Sequence, residues 1–214
     1  MITDEKLLNH SGVNYLNDLG VAMINVGSEF YNWKLKDSNG HEKEAYCERV
    51  YAYELYHQLR KIMESPACIE EKYKGVTLNG EAIKSNSFFK DVFDGLYEVN
   101  DGKEHKFIPD LILHKDLGSI ESEGQIYLVE IKMKGNDKAL DDLIKLTYLK
   151  RTRLNFDFYI FIYVNIDMDD VISEVEGLGK EVFQEIDDDI VCFCTRFGKF
   201  ECVSFGMIKS IINN

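Results

Sequence analysis

Three ionisable side chains lie within two apolar stretches of the sequence. Residues 107–114 and 125–133 are rich in Ile, Leu and Val, and the polar segment between them has the Gly, Ser, Asp and Glu typical of a turn. Asp110 belongs to the first stretch, whereas Glu130 and Lys132 belong to the second. Because side chains alternate between the two faces of a strand, Glu130 and Lys132 share a face. If the two strands pair, we expect Asp110 to converge with them.

Two carboxylates and an ammonium on an apolar sheet would be costly to bury without a partner. A divalent cation resolves the problem, and hard oxygen ligands suit Mg²⁺, for which Mn²⁺ can substitute. We predict that Asp110, Glu130 and the backbone carbonyl of Ile131 bind the metal, and that Lys132 steadies the metal-bound water and lowers its pKa. The pattern favours phosphodiester hydrolysis by a metal-activated water, with Asp110, Glu130 and Lys132 as catalytic residues. The alternative is a surface ion cluster at the strand ends.

The sequences Pro109-Asp110 and Glu130-Ile131-Lys132 resemble the motif of the PD-(D/E)XK nuclease superfamily. Further landmarks, spread over roughly residues 46–165, resemble in their order an uncharacterised bacterial branch of that superfamily. They are Cys47-Glu48-Arg49, Gly80-Glu81, Pro109-Asp110 through His114, Val129-Glu130-Ile131-Lys132 and Asp142-Leu143-Ile144-Lys145-Leu146. The resemblance implies a restriction endonuclease-like, three-layer α/β/α sandwich with a central mixed β-sheet. The alternation of predicted strands and helices independently favours an α/β sandwich.

A helix predicted for residues 45–63 carries the next candidate. On a helical wheel Glu48 points in the same direction as Ala52 and Leu55, which is unusual for a carboxylate with a purely structural role. The resemblance implies a helix-borne acid that holds metal or water, and Glu48 is our candidate for it. An inward-facing Glu48 paired with Arg49 or another nearby base is an equally open interpretation.

Two further residues are candidates through the resemblance. Glu81 matches a landmark, although periodicity alone gives it no special status. His114 shares the predicted face of Asp110 and also matches the branch. It could accompany the metal, but a single His at a strand end is more often a structural residue.

Composition limits the classes of protein that fit. The chain has 214 residues, 45% of them apolar and 12% aromatic, as expected for a globular protein long enough to bury a full core. Its five cysteines are odd in number and contain no Cys-x-x-Cys spacing, which favours reduced thiols in the cytoplasm. No stretch has the apolar length of a membrane span, and the first residues lack the order of a signal peptide. We therefore expect a cytoplasmic protein without a membrane partner.

The formal net charge of −13 argues against binding nucleic acid through charge alone. Cations nevertheless follow the motif and could contact a phosphate backbone, or they could form an ordinary solvated face. These candidates are Lys134, Lys145, Lys150 and Arg151. Residues 167–189 hold ten acids against one lysine. That segment is most simply a solvated helix face, with a docking surface for a protein partner or a second copy as the alternative.

The sequence thus predicts a magnesium-dependent nuclease that hydrolyses nucleic acid, with DNA preferred to RNA. A different class remains open, namely a catalytically inactive interaction protein that keeps the nuclease fold and uses its acidic surface. A nuclease subunit that cuts only with a DNA-binding partner would also reconcile the acidity with an intact motif.

The chain is expected to fold as a single globular unit with two parts. Residues 1–44 are predicted to be a helical segment packed on the core, ending in a turn-rich link over 31–44. Residues 45–214 are predicted to be the nuclease-like α/β domain. Its other elements are expected to be a bent strand or hairpin over 76–83, helices over 137–151 and 169–186, and strands over 158–164, 190–196 and 200–205.

Overall fold

The computed structural model describes most of the chain. The described residues are 1–36, 38–69, 71–80, 109–115, 125–134, 139–151, 155–177, 180–196 and 198–213. Glu81 and the first residues of the predicted strand over 107–114 lie outside them.

A six-stranded mixed sheet forms the centre of the fold, in the order β3-β4-β5-β6-β7-β8. The strands are β3 (Val76–Asn79), β4 (Leu111–Lys115), β5 (Gln125–Met133), β6 (Phe156–Val164), β7 (Val191–Arg196) and β8 (Lys199–Ser204). The three central strands β5, β6 and β7 are parallel, and the pairs on either side are antiparallel. Strands β5 and β6 are almost wholly buried, because both faces of a parallel sheet are covered.

Nine helices lie within the described residues. They are α1 (Glu5–Leu8), α2 (Val13–Ile24), α3 (Ser28–Tyr31), α4 (Glu48–Met63), α5 (Pro66–Ile69), α6 (Ala139–Lys150), α7 (Met168–Glu176), α8 (Lys180–Glu185) and α9 (Phe205–Ile212). None of them is long and apolar enough to cross a membrane.

The sheet separates two hydrophobic cores. Val129 and Ile131 of β5 pack with α2 and α4 in one core, which we call the α4-side core. Leu128 packs with α6, α7 and α9 in the other, the α6-side core. This alternation along β5 is the two-residue period of a strand, and it places Glu130 and Lys132 on the α6 side of the sheet.

The N-terminal part differs from the sequence prediction. Residues 31–44 were expected to be a turn-rich link, but β1 (Asn32–Lys36) and β2 (Glu42–Tyr46) pair there as an antiparallel hairpin. The hairpin spans the expected boundary at residues 44 and 45, so 1–44 is not purely helical. In β1, Trp33 and Leu35 do alternate with polar residues, and Asn39-Gly40 is a typical hairpin turn, but both apolar side chains are exposed and β2 is mostly charged.

Several other elements differ in extent. The helix predicted over 45–63 begins only at Glu48, the helix over 137–151 is described from Ala139 to Lys150, and the acidic helix over 169–186 is two helices, α7 and α8. Helix α9 was not expected, since Phe205 and Met207 prolong the apolar run of β8. Ser204 begins this helix, because its hydroxyl accepts a hydrogen bond from the backbone N–H of Met207 at 3.2 Å. All five cysteines are free, as predicted.

Candidate active site

Asp110 is fixed against the edge of β5 immediately before β4 begins. Its backbone N–H donates to the carbonyl of Val129 at 2.9 Å, and its Oδ2 accepts a hydrogen bond from the backbone N–H of Ile131 at 2.8 Å. The carboxylate therefore accepts the hydrogen bond that a backbone carbonyl of β4 would accept if the strand began one residue earlier. This bond holds Asp110 beside the residue that lies between Glu130 and Lys132, as the sequence predicted.

The main chain of Ile131 faces the same side. Because the N–H and C=O of one strand residue point to the same neighbouring strand, the carbonyl of Ile131 lies on the β4 side together with Asp110. The side chain of Ile131 is fully buried in the α4-side core. Ile131 could therefore offer a backbone oxygen and no side-chain chemistry, and its role as a metal ligand stays a prediction.

Glu130 and Lys132 form a buried ion pair on the α6 side of β5. Each residue is only 6% exposed, and Lys132 Nζ lies 2.6 Å from Glu130 Oε1. Among the described residues, the second oxygen of this carboxylate, Oε2, has no hydrogen-bond partner although it is buried. Such an oxygen is energetically unfavourable, and a bound water or cation would satisfy it.

Two more carboxylates approach the ammonium of Lys132. Asp142 Oδ2 of α6 lies 3.0 Å from Lys132 Nζ, and Glu48 Oε1 at the start of α4 lies 3.6 Å from it. These helices pack in opposite cores, so the two acids reach the end of β5 from either face of the sheet. Lys132 is therefore surrounded by three carboxylates, and Asp110 lies just before the adjacent strand β4.

Burial and charge shift the two central pKa values. Burial raises the pKa of Glu130 to about 8, and the negative charge of Asp110 adds to this increase, whereas Lys132 opposes it. Burial alone would lower the pKa of Lys132, but the carboxylates of Glu130, Asp142 and Glu48 outweigh it and hold that pKa above its ordinary value. Lys132 consequently keeps its proton at neutral pH, whereas Glu130 shares a site too negative for it to ionise easily.

Asp142 was not among the site residues chosen from the sequence. A helical wheel places it between Leu146 and Leu149, both fully buried, so the reasoning that selected Glu48 would also have selected Asp142. Its side chain also forms an ion pair with Lys145 one turn later in α6. The missed signal was a carboxylate on the buried stripe of a second helix.

Glu48 occupies the predicted position in part. It is the first residue of α4, and its side chain is 35% exposed, so it lies at the rim of the cluster. Ala52 and Leu55, which share its direction on the wheel, are buried as expected. The base that faces Glu48 across the cluster is Lys132.

His114 lies away from these side chains. It is four residues beyond Asp110 on β4, a separation of roughly 13 Å along a strand. Its Nε2 is 2.6 Å from the side-chain amide of Asn79 on β3. The structure thus places His114 in a polar pair between β3 and β4, and it does not bring it to the acids around Lys132.

The cations proposed to contact a phosphate backbone are already paired within the chain. Lys134 lies 3.4 Å from Asp170, and Lys145 pairs with Asp142. The ammonium of Lys150 lies 2.7 Å from Asp187 and 2.6 Å from Asp189, while the guanidinium of Arg151 donates to the carbonyl of Glu185 at 3.1 Å. The acidic segment 167–189 supplies most of these partners, so it is in part neutralised by the same cations.

The residues present fit a divalent cation by their chemistry. In the described part of the chain, no group of three His, Cys, Asp or Glu side chains could hold a metal ion as the side chains lie. Asp110 Oδ2 accepts a hydrogen bond from the N–H of Ile131, and Glu130 Oε1 accepts one from the ammonium of Lys132. The unpartnered Oε2 of Glu130 is the oxygen that a hard cation would take.

Comparisons with protein-family models, with curated proteins and with solved structures give no match for this chain. No family membership follows from them. The functional conclusion therefore depends on the side chains described above and on their chemistry.

Proposed function

We propose that this protein is a magnesium-dependent nuclease that hydrolyses phosphodiester bonds of nucleic acid, with DNA as the preferred substrate. The observation that carries the proposal is the convergence of Asp110, Glu130 and Lys132, together with the buried and unpartnered Oε2 of Glu130. Lysine beside two hard carboxylates at the end of a strand is a set of groups suited to this chemistry.

The roles of the residues follow from their contacts. Asp110, Glu130 and the carbonyl of Ile131 would hold Mg²⁺. The bound ion would polarise the phosphate and lower the pKa of a water molecule. Lys132, which stays protonated, would orient the attacking water and stabilise negative charge on the phosphate oxygens. Glu48 and Asp142 would position the ammonium of Lys132, because they contact it from two sides.

The architecture agrees with this proposal. Helices cover both faces of a mixed sheet whose central strand carries Glu130 and Lys132, and the preceding strand begins just after Asp110. We accordingly propose the restriction endonuclease-like α/β/α sandwich of the PD-(D/E)XK superfamily as the fold. The five free cysteines are compatible with work in a reducing compartment, and we propose the cytoplasm.

A second candidate function, a nuclease subunit that requires a DNA-binding partner, is favoured by one observation. The cations at Lys134, Lys145, Lys150 and Arg151 are engaged by acids or a carbonyl of the same chain. A protein of net charge −13 with those cations paired has little electrostatic attraction for a duplex. A basic partner could supply that attraction, and the isolated subunit would then bind metal without cutting DNA.

The proposal is tested by incubating the purified protein with Mn²⁺ and labelled single-stranded and duplex DNA and RNA. Cleavage by the wild-type protein is expected to depend on the metal and to be lost in Asp110→Asn purified in the same way. Asparagine keeps an oxygen that accepts the N–H of Ile131, so this variant should fold normally. Equal cleavage by both proteins would reject the site, and metal binding without cleavage would favour the partner-dependent subunit.

Metal affinity is expected to increase with pH until about pH 8. Burial and Asp110 raise the pKa of Glu130 to about 8, so near pH 6 a cation must displace the proton of Glu130. Apparent affinity should therefore weaken by up to about tenfold for each pH unit below that pKa and level off above it. Calorimetric titration with Mg²⁺ from pH 6 to 9 measures this slope. A flat wild-type profile would contradict the assignment.

A further inference from the structure

A pocket of about 250 Å³ lies directly beside the candidate active site, and Asp110 forms part of its wall. Helix α4 contributes Tyr53 and Tyr56 to its lining, and Leu111 of β4 also lines it. Pockets for drug-sized ligands have roughly 300–1,000 Å³, so this volume suits a single ring system. The pocket is thus a small, largely apolar space that opens next to the residues proposed to hold the metal.

Tyr53 is one of the large side chains that the fold leaves exposed. Its side chain is 55% exposed although it is a large aromatic residue, and it lines the pocket. It follows Glu48 by five residues in α4, which corresponds to roughly 7–8 Å along the helix axis. An exposed aromatic ring at that distance from the cluster is within reach of a nucleotide whose phosphate lies at Asp110.

The end of β3 keeps the pocket open. A Cβ at Gly80 would lie 3.2 Å from Cδ2 of Tyr56 and 3.7 Å from Cδ2 of Leu111, so any larger side chain would enter the space between them. Asn79 also lines the pocket, but its side-chain amide lies 2.6 Å from Nε2 of His114, so the groups offered to a ligand are the aromatic rings of α4. Aromatic faces on which a base can stack are groups that proteins use to hold an unpaired base.

We propose that this pocket binds one unpaired nucleobase next to the scissile phosphate, so that the substrate is single-stranded nucleic acid or an unpaired end. The inference rests on the proposed nuclease function. It accounts for a protein of net charge −13 whose cations Lys134, Lys145, Lys150 and Arg151 are already engaged. Stacking does not depend on the phosphate charge, so it would supply binding free energy that the paired cations do not.

The inference is tested by measuring the affinity of the full chain for labelled oligonucleotides by fluorescence anisotropy. Ca²⁺ replaces Mg²⁺ in this assay so that substrate is held without being cut. Tyr53→Ala should weaken binding of a single-stranded oligonucleotide by roughly 5- to 100-fold, since one stacked base is lost. Tyr53→Phe, which keeps the ring, should stay within twofold of wild type. Gly80→Val, which fills the pocket without removing a side chain, should weaken binding as Tyr53→Ala does.

Three controls make the result specific. Phe30→Ala removes an aromatic side chain of similar exposure that does not line the pocket, and it should leave affinity unchanged. A nucleoside monophosphate should compete with the oligonucleotide in the wild-type protein, whereas the sugar phosphate without a base should not. DNA and RNA oligonucleotides of one sequence identify which sugar the site prefers.

Unchanged affinity in both Tyr53→Ala and Gly80→Val would overturn the inference, as would tighter binding of a blunt duplex than of the single strand. Calorimetry with Mg²⁺ separates this failure from a failure of the proposed function. If metal binding and cleavage persist while the pocket variants behave as wild type, only the base pocket is refuted. If the wild-type protein binds neither metal nor oligonucleotide, the proposed function and the inference fail together.

Discussion

Replacing Lys132 with methionine is expected to lower cleavage by roughly 10²- to 10⁴-fold, the range found when a positioned proton-handling or charged group is removed. Metal affinity should stay within a few-fold of wild type, because the ammonium is not a ligand. Methionine keeps most of the volume of the lysine stem, so the change removes charge with little loss of packing. Cleavage rate with Mn²⁺ and calorimetry with Mg²⁺ measure the two effects separately.

The same substitution should destabilise the metal-free protein. The ammonium of Lys132 contacts Glu130 at 2.6 Å, Asp142 at 3.0 Å and Glu48 at 3.6 Å, and it is the shared counter-charge of all three. Removing one partner of a buried ion pair costs about 3–5 kcal/mol, since the remaining charges stay buried and unbalanced. Saturating Mg²⁺ should stabilise the variant and the wild type by similar amounts, because their metal affinities are expected to agree within a few-fold.

Lys72→Met is the matched control for this variant. Lys72 is a partly buried lysine whose ammonium lies 2.6 Å from Asp18 and 2.6 Å from the carbonyl of Asn14. It does not belong to the group formed by Lys132 and its three carboxylates. Its replacement should lower thermal stability without changing cleavage or the effect of Mg²⁺. Normal cleavage by Lys132→Met would refute the role given to Lys132.

The core of the site could be predicted from the sequence because it depends on strand periodicity. Asp110, Glu130 and Lys132 lie in apolar stretches whose two-residue alternation places each side chain on one face. The contribution of Asp142 was missed because it comes from a helix, ten residues after Lys132, and only the packing of α6 brings it to Lys132. The pairing of Lys134 and Lys150 with acids of the 167–189 segment likewise depends on tertiary contacts.

The fold was predictable to a similar extent. Strand β5 was located at its observed residues, and β6 was located with an end at Val164, because both are continuous apolar runs of central strands. The β1–β2 hairpin was missed because its apolar alternation is limited to Trp33 and Leu35, both exposed, and β2 is mostly charged. Helix α9 was missed because its beginning depends on the Ser204 cap, a short local signal after an apolar strand.

Glu130→Gln is expected to lower metal affinity and to leave metal-free stability unchanged, which is the reverse of the expectation for Lys132→Met. Glutamine keeps an oxygen that can accept from Lys132 but loses the charge of the carboxylate, so Mg²⁺ affinity should fall by roughly 100-fold or more and cleavage should fall with it. Metal-free stability should be maintained. The raised pKa of Glu130 means that the folded state holds its proton more tightly than the unfolded chain, so ionising it costs stability as pH increases through about 8. Glutamine removes that cost.

The two variants therefore separate a metal ligand from the charge that accompanies it. Lys132→Met should be less stable but should still bind metal, whereas Glu130→Gln should be stable but should not. If the cluster only formed ion pairs and bound no metal, neither variant would change metal affinity.

Calorimetric titration of Mg²⁺ into the wild-type protein, Lys132→Met and Glu130→Gln at pH 8 is the most direct measurement of the central claim. We predict saturable binding in the wild type, binding within a few-fold of it in Lys132→Met, and loss of binding in Glu130→Gln. Equal loss of affinity in the two variants, or wild-type affinity that survives the change at Glu130, would contradict the proposal that Asp110 and Glu130 hold a catalytic cation.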